Sequence, residues 1–166
     1  MQGQVSGGAL FIVACTANVC RSPMAESIFS CLLNERGVSA SVVSRGVRAA
    51  IGRAPHEYSL TIAALHGTPI SPAKRAEQLT APEVAAATAV FVMDSENKAQ
   101  INKRFPTASG KIFLLGHWIG EEIADPINMP KEAFEVAWRL CRNGAQTWID
   151  KLLDANLIVC GERKTA

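Results

Sequence analysis

Residues 10–23, with the sequence LFIVACTANVCRSP, carry the strongest structural signal in the chain. Residues 10–14 form a short, continuous apolar run that contains β-branched side chains, which is typical of a strand buried on both faces of a parallel sheet. Residues 15–20 are mostly small and fit a tight loop, and Ser22-Pro23 is a helix-start signal. The stretch therefore predicts a strand, a tight loop and a helix in immediate succession.

The alternation of strand and helix patterns continues to the end of the chain. Helical spacing covers residues 22–36, a segment at 56–65, a short segment from 81 with Thr80 as its N-cap, residues 96–104 and an apolar stripe over 134–152. Strand patterns also cover residues 38–44, 89–93 and 111–115. Together they predict an α/β fold, with one four-stranded parallel sheet and helices on both faces.

The length and composition indicate a single domain. The chain has 166 residues, of which 48% are hydrophobic and 19% charged, which provides a sizeable core and excludes a disordered chain. We expect one domain over residues 1–166, with frayed tails at 1–7 and 161–166. Asn143-Gly144 interrupts the last apolar stripe, but the stripe continues in phase, which favours a locally weakened helix over a turn.

Charge and residue spacing argue against several classes of protein. A formal net charge of +2 is too small to indicate a nucleic-acid or membrane-surface binder. No apolar stretch approaches the roughly 18 residues of a membrane span, and the first residues lack the basic start of a secretory signal. We therefore expect a cytoplasmic protein without direct membrane insertion.

The five cysteines form no C-x-x-C pair and the three histidines are scattered, so we expect free thiols, no metal and no cofactor.

The loop before the first helix has the composition of an anion-binding site. Small residues let backbone N–H groups point inward, and the helix N-terminus adds partial positive charge. These features predict contacts to a bound phosphate from Thr16, Ala17, Asn18, Val19, Cys20, Arg21 and Ser22. Arg21 can bind two phosphoryl oxygens, and the same positive groups favour a nucleophilic thiolate at Cys15. A buried packing cysteine is the alternative for Cys15, because a C-x5-R match alone arises by chance.

The whole stretch resembles the signature of the low-molecular-weight protein tyrosine phosphatases, C-x-G-N-x-C-R-S-P. Residues 24–26, 44–46, 92–94 and 125–126 extend the resemblance along nearly the whole chain. It implies the same α/β fold and the hydrolysis of phosphotyrosine and small aryl phosphates through a cysteinyl-phosphate intermediate. It also implies that Cys15 is the nucleophile, Arg21 the phosphate clamp and Asp125 the general acid.

The resemblance assigns supporting roles to four further residues. Ser22 is expected to donate a hydroxyl hydrogen bond to the thiolate, and Asn18 and Ser44 are expected to brace the loop. Cys20 is a redox candidate, since the second cysteine in this family can form a reversible disulfide with the nucleophile. A cysteine that only packs the helix start is the alternative for Cys20.

Several positions depart from the family pattern. Ala17 replaces a glycine, which is harmless where φ is negative. Lys74 and Glu77 stand where relatives often have histidine and arginine, so the bracing behind Asn18 is expected to differ. Many relatives carry aromatic residues around the substrate ring, at positions that are here Ala49, Ala50, Ile127 and Asn128. These smaller or aliphatic residues predict a shallow, aliphatic groove.

Three function classes remain open at this point. Val19 favours phosphotyrosine, because relatives that cleave phosphoarginine carry threonine there. An arsenate-reductase-like redox enzyme needs further cysteines, and none lies between Cys31 and Cys141. A silent phosphate-binding module would most simply have lost Cys15, Arg21 or Asp125, and all three are present.

Residues 116–118 and 121–126 resemble a bacterial branch of the family that is encoded with capsule or exopolysaccharide machinery. Enzymes of that branch act on membrane tyrosine autokinases, so the resemblance implies a phosphotyrosine protein of this kind as the partner. Trp118 can equally be a packing residue under the acid loop. The sequence predicts no oligomeric state.

Overall fold

The computed structural model describes residues 8–161. Its strands are β1 (Ala9–Cys15), β2 (Ala40–Gly46), β3 (Ala89–Val92) and β4 (Ile112–Leu114). Its α-helices are α1 (Arg21–Glu35), α2 (Glu57–Leu65), α3 (Ala81–Ala86), α4 (Ser95–Arg104) and α5 (Lys131–Asp154), and 3-10 turns cover Pro106–Lys111 and His117–Ile119. The predicted tails lie outside the described residues, apart from Gly161, whose N–H donates to the Gly37 carbonyl at 2.7 Å.

The four strands form one parallel sheet in the order β2-β1-β3-β4. This arrangement confirms the predicted α/β fold. β1 lies at the centre, with Cys15 opposite Gly46 of β2 and Ala14 opposite Val92 of β3. The carboxyl end of β1 therefore lies between two neighbouring strands, where α/β sheets carry their sites.

Both faces of the sheet are covered, as the apolar run of β1 predicts. Phe11 and Val13 pack in a core shared with α1, α2 and α5, whereas Ile12 and Ala14 pack in a second core with α3 and α4. Each fully buried large side chain of this kind contributes roughly 1.5–3 kcal/mol to folding. The two cores hold β1 rigidly, and with it the loop that follows.

Helix α5 runs without a break through Asn143-Gly144, as the phase of its apolar stripe predicted. Gly144 faces the chain just after β4, and a Cβ atom there would lie 2.6 Å from the carbonyl oxygen of Leu115. Glycine is therefore required for close packing.

Among the described residues, no helix combines the length and hydropathy needed to cross a bilayer.

The second strand begins and ends later than the predicted 38–44. Gly37 adopts a φ of 65°, and Val38 forms an isolated antiparallel bridge with Cys160 before β2 begins. At the other end, the N–H of Gly46 donates to the Glu77 carbonyl at 2.8 Å. Partners distant in sequence thus set both ends of β2.

Candidate active site

The loop between β1 and α1 is shaped by a second segment that lies against its outer side. The carbonyl oxygens of Cys15, Thr16 and Ala17 accept hydrogen bonds of 2.9–3.0 Å from backbone N–H groups of residues 47–50. The carbonyl of Val19 accepts another from the His56 N–H at 2.9 Å. These carbonyl groups form their hydrogen bonds on the outer side of the loop. The N–H groups of the loop can therefore face its centre, as an anion-binding nest requires.

Asn18 holds the tightest turn of this loop. Its φ of 59° is left-handed, which costs a non-glycine residue about 1–2 kcal/mol. Its Nδ2 donates to Ser22 Oγ at 2.8 Å and to Ser44 Oγ at 3.0 Å, and its Oδ1 accepts from the Glu77 N–H at 2.9 Å. These bonds offset the strain. Ala17 is not among the positive-φ residues, so its Cβ is harmless, as expected.

The bracing continues behind Ser44 through a charged pair. Ser44 Oγ donates to Glu26 Oε2 at 2.6 Å, and Lys74 Nζ lies 3.3 Å from the same oxygen. Lys74 also donates to the Ser44 carbonyl at 3.2 Å. Lys74 is thus part of the bracing although relatives often have histidine there. Glu77 reaches Asn18 through its backbone N–H, so that bond does not depend on the side chain.

Cys15 lies at the base of the loop and is 3% exposed. Its Sγ is 3.0 Å from Ser22 Oγ. Ser22 Oγ accepts from Asn18 Nδ2, and its other acceptor, the Arg45 carbonyl, is 3.5 Å away, so its hydroxyl hydrogen can be directed to the closer sulfur. Ser22 can therefore donate to a thiolate at Cys15, which has no proton of its own to give.

Arg21 is 1% exposed and is fixed along one side. Its NH1 donates to Asp94 Oδ2 at 2.6 Å and to the Ile123 carbonyl at 2.8 Å. Among the described residues its Nε has no hydrogen-bond partner, and its NH2 has long contacts of 3.5 Å to Thr16 Oγ1 and Asp125 Oδ2. The edge formed by Nε and NH2 is thus available to two oxygens of one anion.

Charge around Arg21 keeps the guanidinium ionised. Burial alone would lower the pKa of Arg21, but the Cys15 thiolate, the hydrogen bond to Asp94 and the Asp125 carboxylate outweigh it and raise that pKa. A buried guanidinium that stays charged supplies the positive charge that a dianionic phosphate ester needs.

Sequence reasoning missed the two side chains that hold this arrangement from α4. Asp94 is the N-cap of α4: its Oδ1 accepts from the Asn97 N–H at 2.8 Å while Oδ2 takes Arg21. Asn97, which is 1% exposed, donates from Nδ2 to Thr16 Oγ1 at 3.1 Å. Asp94 follows the buried strand β3, which pairs with β1, and directly precedes helix α4. An aspartate at such a strand-to-helix junction was the signal that could have identified it.

A cleft of about 510 Å³ opens above Cys15. The loop lines it with Thr16, Ala17, Val19 and Cys20 as well as Cys15. Residues 53–57, Asp125 and Ile127 form the rest of its lining. The structure therefore brings the predicted nucleophile and acid to one cleft, and NH2 of the predicted clamp, Arg21, lies 3.5 Å from Thr16 and Asp125 in its lining.

The predicted aliphatic groove is wrong for one wall of this cleft. Ile127 lines the cleft, but Ala49, Ala50 and Asn128 do not. Residues 53–57, RAPHE, take that place and bring two charged side chains and an imidazole. Ala49 and Ala50 are occupied instead in loop packing, because Ala50 N donates to the Ala17 carbonyl and Ala49 N to Gln78 Oε1.

Asp125 has one oxygen in a turn and the other near the clamp. Oδ1 accepts from the Ile127 N–H at 3.1 Å, which is ordinary turn chemistry. Oδ2 lies 3.5 Å from Arg21 NH2, and 40% of the side chain is exposed. The carboxyl group can therefore exchange protons with substrate or water in the cleft.

Cys20 shares the cleft with Cys15, and its own environment opposes ionisation. Burial, followed by the charges of Asp125 and Cys15, raises the pKa of Cys20 to about 12. Cys20 is therefore a protonated thiol at neutral pH.

Within residues 8–161, no group of three His, Cys, Asp or Glu side chains is arranged to hold a metal ion.

Comparison with known proteins identifies relatives along almost the whole chain. The family model for low molecular weight phosphotyrosine protein phosphatase matches residues 10–157. EpsP of Ralstonia nicotianae, a probable low molecular weight protein-tyrosine-phosphatase, is 36% identical over 141 residues, which cover 85% of this chain and 94% of EpsP.

Two solved structures show the same fold with different named ligands or activities. Wzb of Vibrio vulnificus, in complex with benzylphosphonate, has a TM-score of 0.81 and 30% identity, covering 88% of this chain and 100% of Wzb. The YwlE arginine phosphatase of Geobacillus stearothermophilus has a TM-score of 0.80 and 31% identity, covering 90% of this chain and 96% of YwlE. The fold alone therefore does not choose between tyrosine and arginine phosphates.

Proposed function

The chain belongs to the low molecular weight phosphotyrosine protein phosphatase family, and we propose that it hydrolyses phosphotyrosine in proteins with Cys15, Arg21 and Asp125 as its catalytic residues. The observation that carries these roles is the buried edge of Arg21, whose Nε has no partner among the described residues. Its NH2 lies 3.5 Å from Thr16 and from Asp125, which line the cleft together with Cys15. A buried donor without a partner is costly. A phosphate oxygen bound there removes that cost.

In the first step, the loop N–H groups and the Nε–NH2 edge of Arg21 hold the phosphoryl oxygens. The thiolate of Cys15 attacks phosphorus, a P–S bond forms, and the bond from phosphorus to the tyrosine oxygen breaks. Asp125 donates its proton to the departing oxygen, because an unprotonated phenoxide is a poor leaving group. The products of this step are tyrosine and a cysteinyl phosphate.

In the second step, Asp125 acts in the opposite direction. Its carboxylate removes a proton from water, the water oxygen attacks phosphorus, and the P–S bond breaks to release inorganic phosphate. The sulfur leaves as a thiolate, which accepts the hydroxyl hydrogen bond of Ser22 and is stabilised by the N-terminus of α1. The enzyme returns to its starting state with Asp125 protonated.

The competing functions have less support. EpsP and YwlE carry phosphatase names. Of the three residues that a silent module would lose, Cys15 and Asp125 line one cleft and Arg21 NH2 lies 3.5 Å from Asp125. For substrate choice, Val19 is 6% exposed and lines the cleft with an aliphatic side chain. A guanidinium substrate would leave its N–H groups without an acceptor at that position, which favours a phenyl ring.

The substrate class is tested with three peptides of one sequence that carry phosphotyrosine, phosphoarginine or phosphoserine. We expect kcat/KM for phosphotyrosine to exceed the other two by about 10²-fold or more, as a cleft matched to an aromatic ring requires. Phosphate release measures the rates. Val19→Thr is the matched variant, and it should raise only the phosphoarginine rate. Faster hydrolysis of phosphoarginine than of phosphotyrosine by the unmodified protein would contradict the proposal.

We propose a membrane tyrosine autokinase of exopolysaccharide synthesis as the protein substrate, and a cytoplasmic location for the reaction. The support is the resemblance of residues 116–118 and 121–126 to the branch associated with such kinases. Trp118 is 46% exposed and packs edge-on against Trp148 at 5.6 Å, so it does not lie buried under the acid loop. Capture of the kinase by the inactive Cys15 variant, described below, tests this proposal.

We also propose that Cys20 protects Cys15 from irreversible oxidation. Peroxide would oxidise the Cys15 thiolate to a sulfenic acid, and the Cys20 thiol would then displace water to form a disulfide. The protonated state of Cys20 directs peroxide to Cys15 first. Cys20 thus acts only after the first oxidation.

Peroxide should therefore inactivate the enzyme reversibly. Dithiothreitol is expected to restore most activity of the unmodified protein, and mass spectrometry should show the loss of two hydrogens across the loop peptide. Cys20→Ser should recover only a small fraction, whereas Cys31→Ser, at a half-buried cysteine on α1, should recover fully. Full recovery of Cys20→Ser would show that Cys20 only packs the helix start.

A further inference from the structure

His56 occupies a position that connects the phosphate loop to the wall of the cleft. Its N–H donates to the Val19 carbonyl at 2.9 Å, and it is the N-cap of α2. It lines the same cleft as Cys15 and Asp125. The residue thus lines the cleft although it takes no part in the chemistry described above.

The imidazole of His56 is held in one orientation from two sides. Its Nδ1 accepts from the Tyr58 N–H at 3.0 Å, which caps α2. One ring face stacks on Phe134 of α5, with a centroid distance of 4.6 Å and an angle of 29° between the planes. Phe134 is fully buried, so this support is rigid. The half-buried imidazole therefore presents a fixed surface to the cleft.

The cleft has no other aromatic ring in the part of the chain that the structure describes. The remaining lining is the loop itself, Asp125, aliphatic Ile127 and the neighbours of His56 in residues 53–57. A phenyl ring bound with its phosphate on the loop needs a flat surface beside it, because aromatic pairs gain about 0.5–1.5 kcal/mol beyond simple burial. His56 is the residue placed to supply it.

We propose that His56 is a specificity-determining residue, whose imidazole packs against the ring of the bound phosphotyrosine. The inference rests on the proposed function and deepens it. His56 supplies from the start of α2 the aromatic contact that Ala49, Ala50 and Ile127 cannot provide. Its contribution is to ring binding and is separate from phosphate binding, which belongs to the loop and Arg21.

Two variants separate the ring of His56 from its capping role. His56→Asn keeps a good N-cap and removes the ring, whereas His56→Phe keeps a ring and removes the cap acceptor. Each is measured with two competitive inhibitors, inorganic phosphate, which occupies only the loop, and benzylphosphonate, which adds a phenyl ring. His117→Asn is the control histidine, since His117 lies outside the cleft lining.

We expect His56→Asn to weaken benzylphosphonate binding about fivefold while leaving inorganic phosphate binding unchanged. The inhibition constant of His56→Phe for benzylphosphonate should stay within about twofold of that of the unmodified protein. This should hold even if loss of the helix cap lowers the midpoint of thermal unfolding. With p-nitrophenyl phosphate, His56→Asn should raise KM and leave kcat nearly constant, since the contact is made equally in the ground and transition states.

Two results would overturn the inference. Unchanged benzylphosphonate binding in His56→Asn would show that the imidazole does not contact the ring. Equal weakening of both inhibitors in either variant would show that His56 acts through the Val19 carbonyl on the loop itself. The proposed function fails separately, because in that case the unmodified protein would neither hydrolyse aryl phosphates nor bind inorganic phosphate.

Discussion

Replacement of Cys15 by serine is expected to reduce turnover of aryl phosphates by about 10⁵-fold or more while phosphate binding persists. A serine hydroxyl is not ionised at neutral pH, and the positive environment that favours a thiolate cannot make it so. The loop N–H groups and the Nε–NH2 edge of Arg21 remain in place. Rates of phosphate release and calorimetric titration with phosphate or vanadate measure the two properties on one sample.

Cys31→Ser is the control for this experiment, since the cysteine is half-buried and outside the cleft lining. It should keep full activity. More than trace turnover in Cys15→Ser would require a second nucleophile.

The Cys15→Ser variant also serves as a trap for the protein substrate. A tyrosine-phosphorylated autokinase should bind to it and be released by vanadate. Failure of a purified phosphorylated kinase to bind would remove that partner from consideration.

Replacement of Asp125 by asparagine is expected to lower kcat by about 10²- to 10⁴-fold, the usual cost of a lost general acid. Asparagine can still accept the hydrogen bond of the Ile127 N–H through Oδ1, so the turn is preserved and only proton transfer is removed. The loss should shrink for esters whose leaving groups need no proton. A series of aryl phosphates with increasing leaving-group pKa measures this dependence.

The shape of that series distinguishes catalysis from structure. Asp150→Asn, at a carboxylate paired with Arg36 on the far end of α5, should leave the rates unchanged. If Asp125→Asn slows esters of good and poor leaving groups to the same extent, the carboxyl group has a structural role only.

Local sequence was sufficient to predict the phosphate loop but not the residues that support it from elsewhere. The apolar run, the small loop residues and the helix start are adjacent in the chain, so their meaning does not depend on the rest of the fold. Asp94 and Asn97 lie more than 70 residues from the loop atoms that they contact. Their position depends on the pairing of Ala14 with Val92, which brings the end of β3 beside the loop.

The substrate wall was mispredicted for a related reason. The expectation placed it at Ala49 and Ala50, whose backbone is in fact engaged by the loop and by Gln78. The chain reaches the cleft only several residues later, at 53–57. A sequence pattern indicates which types of residue can form the wall of a cleft. Tertiary hydrogen bonds determine which part of a loop reaches that cleft at the edge of the sheet.

The hydrogen bond from Arg21 NH1 to the Ile123 carbonyl links two parts of the site that are usually considered one at a time. Ile123 lies two residues before Asp125, and its own N–H donates to the Met93 carbonyl at 2.9 Å, next to Asp94. The guanidinium is therefore a structural brace for the segment that carries the acid. Arg21 and Asp125 form one thermodynamically coupled unit, so the energetic effects of changing both will not be the sum of changing each.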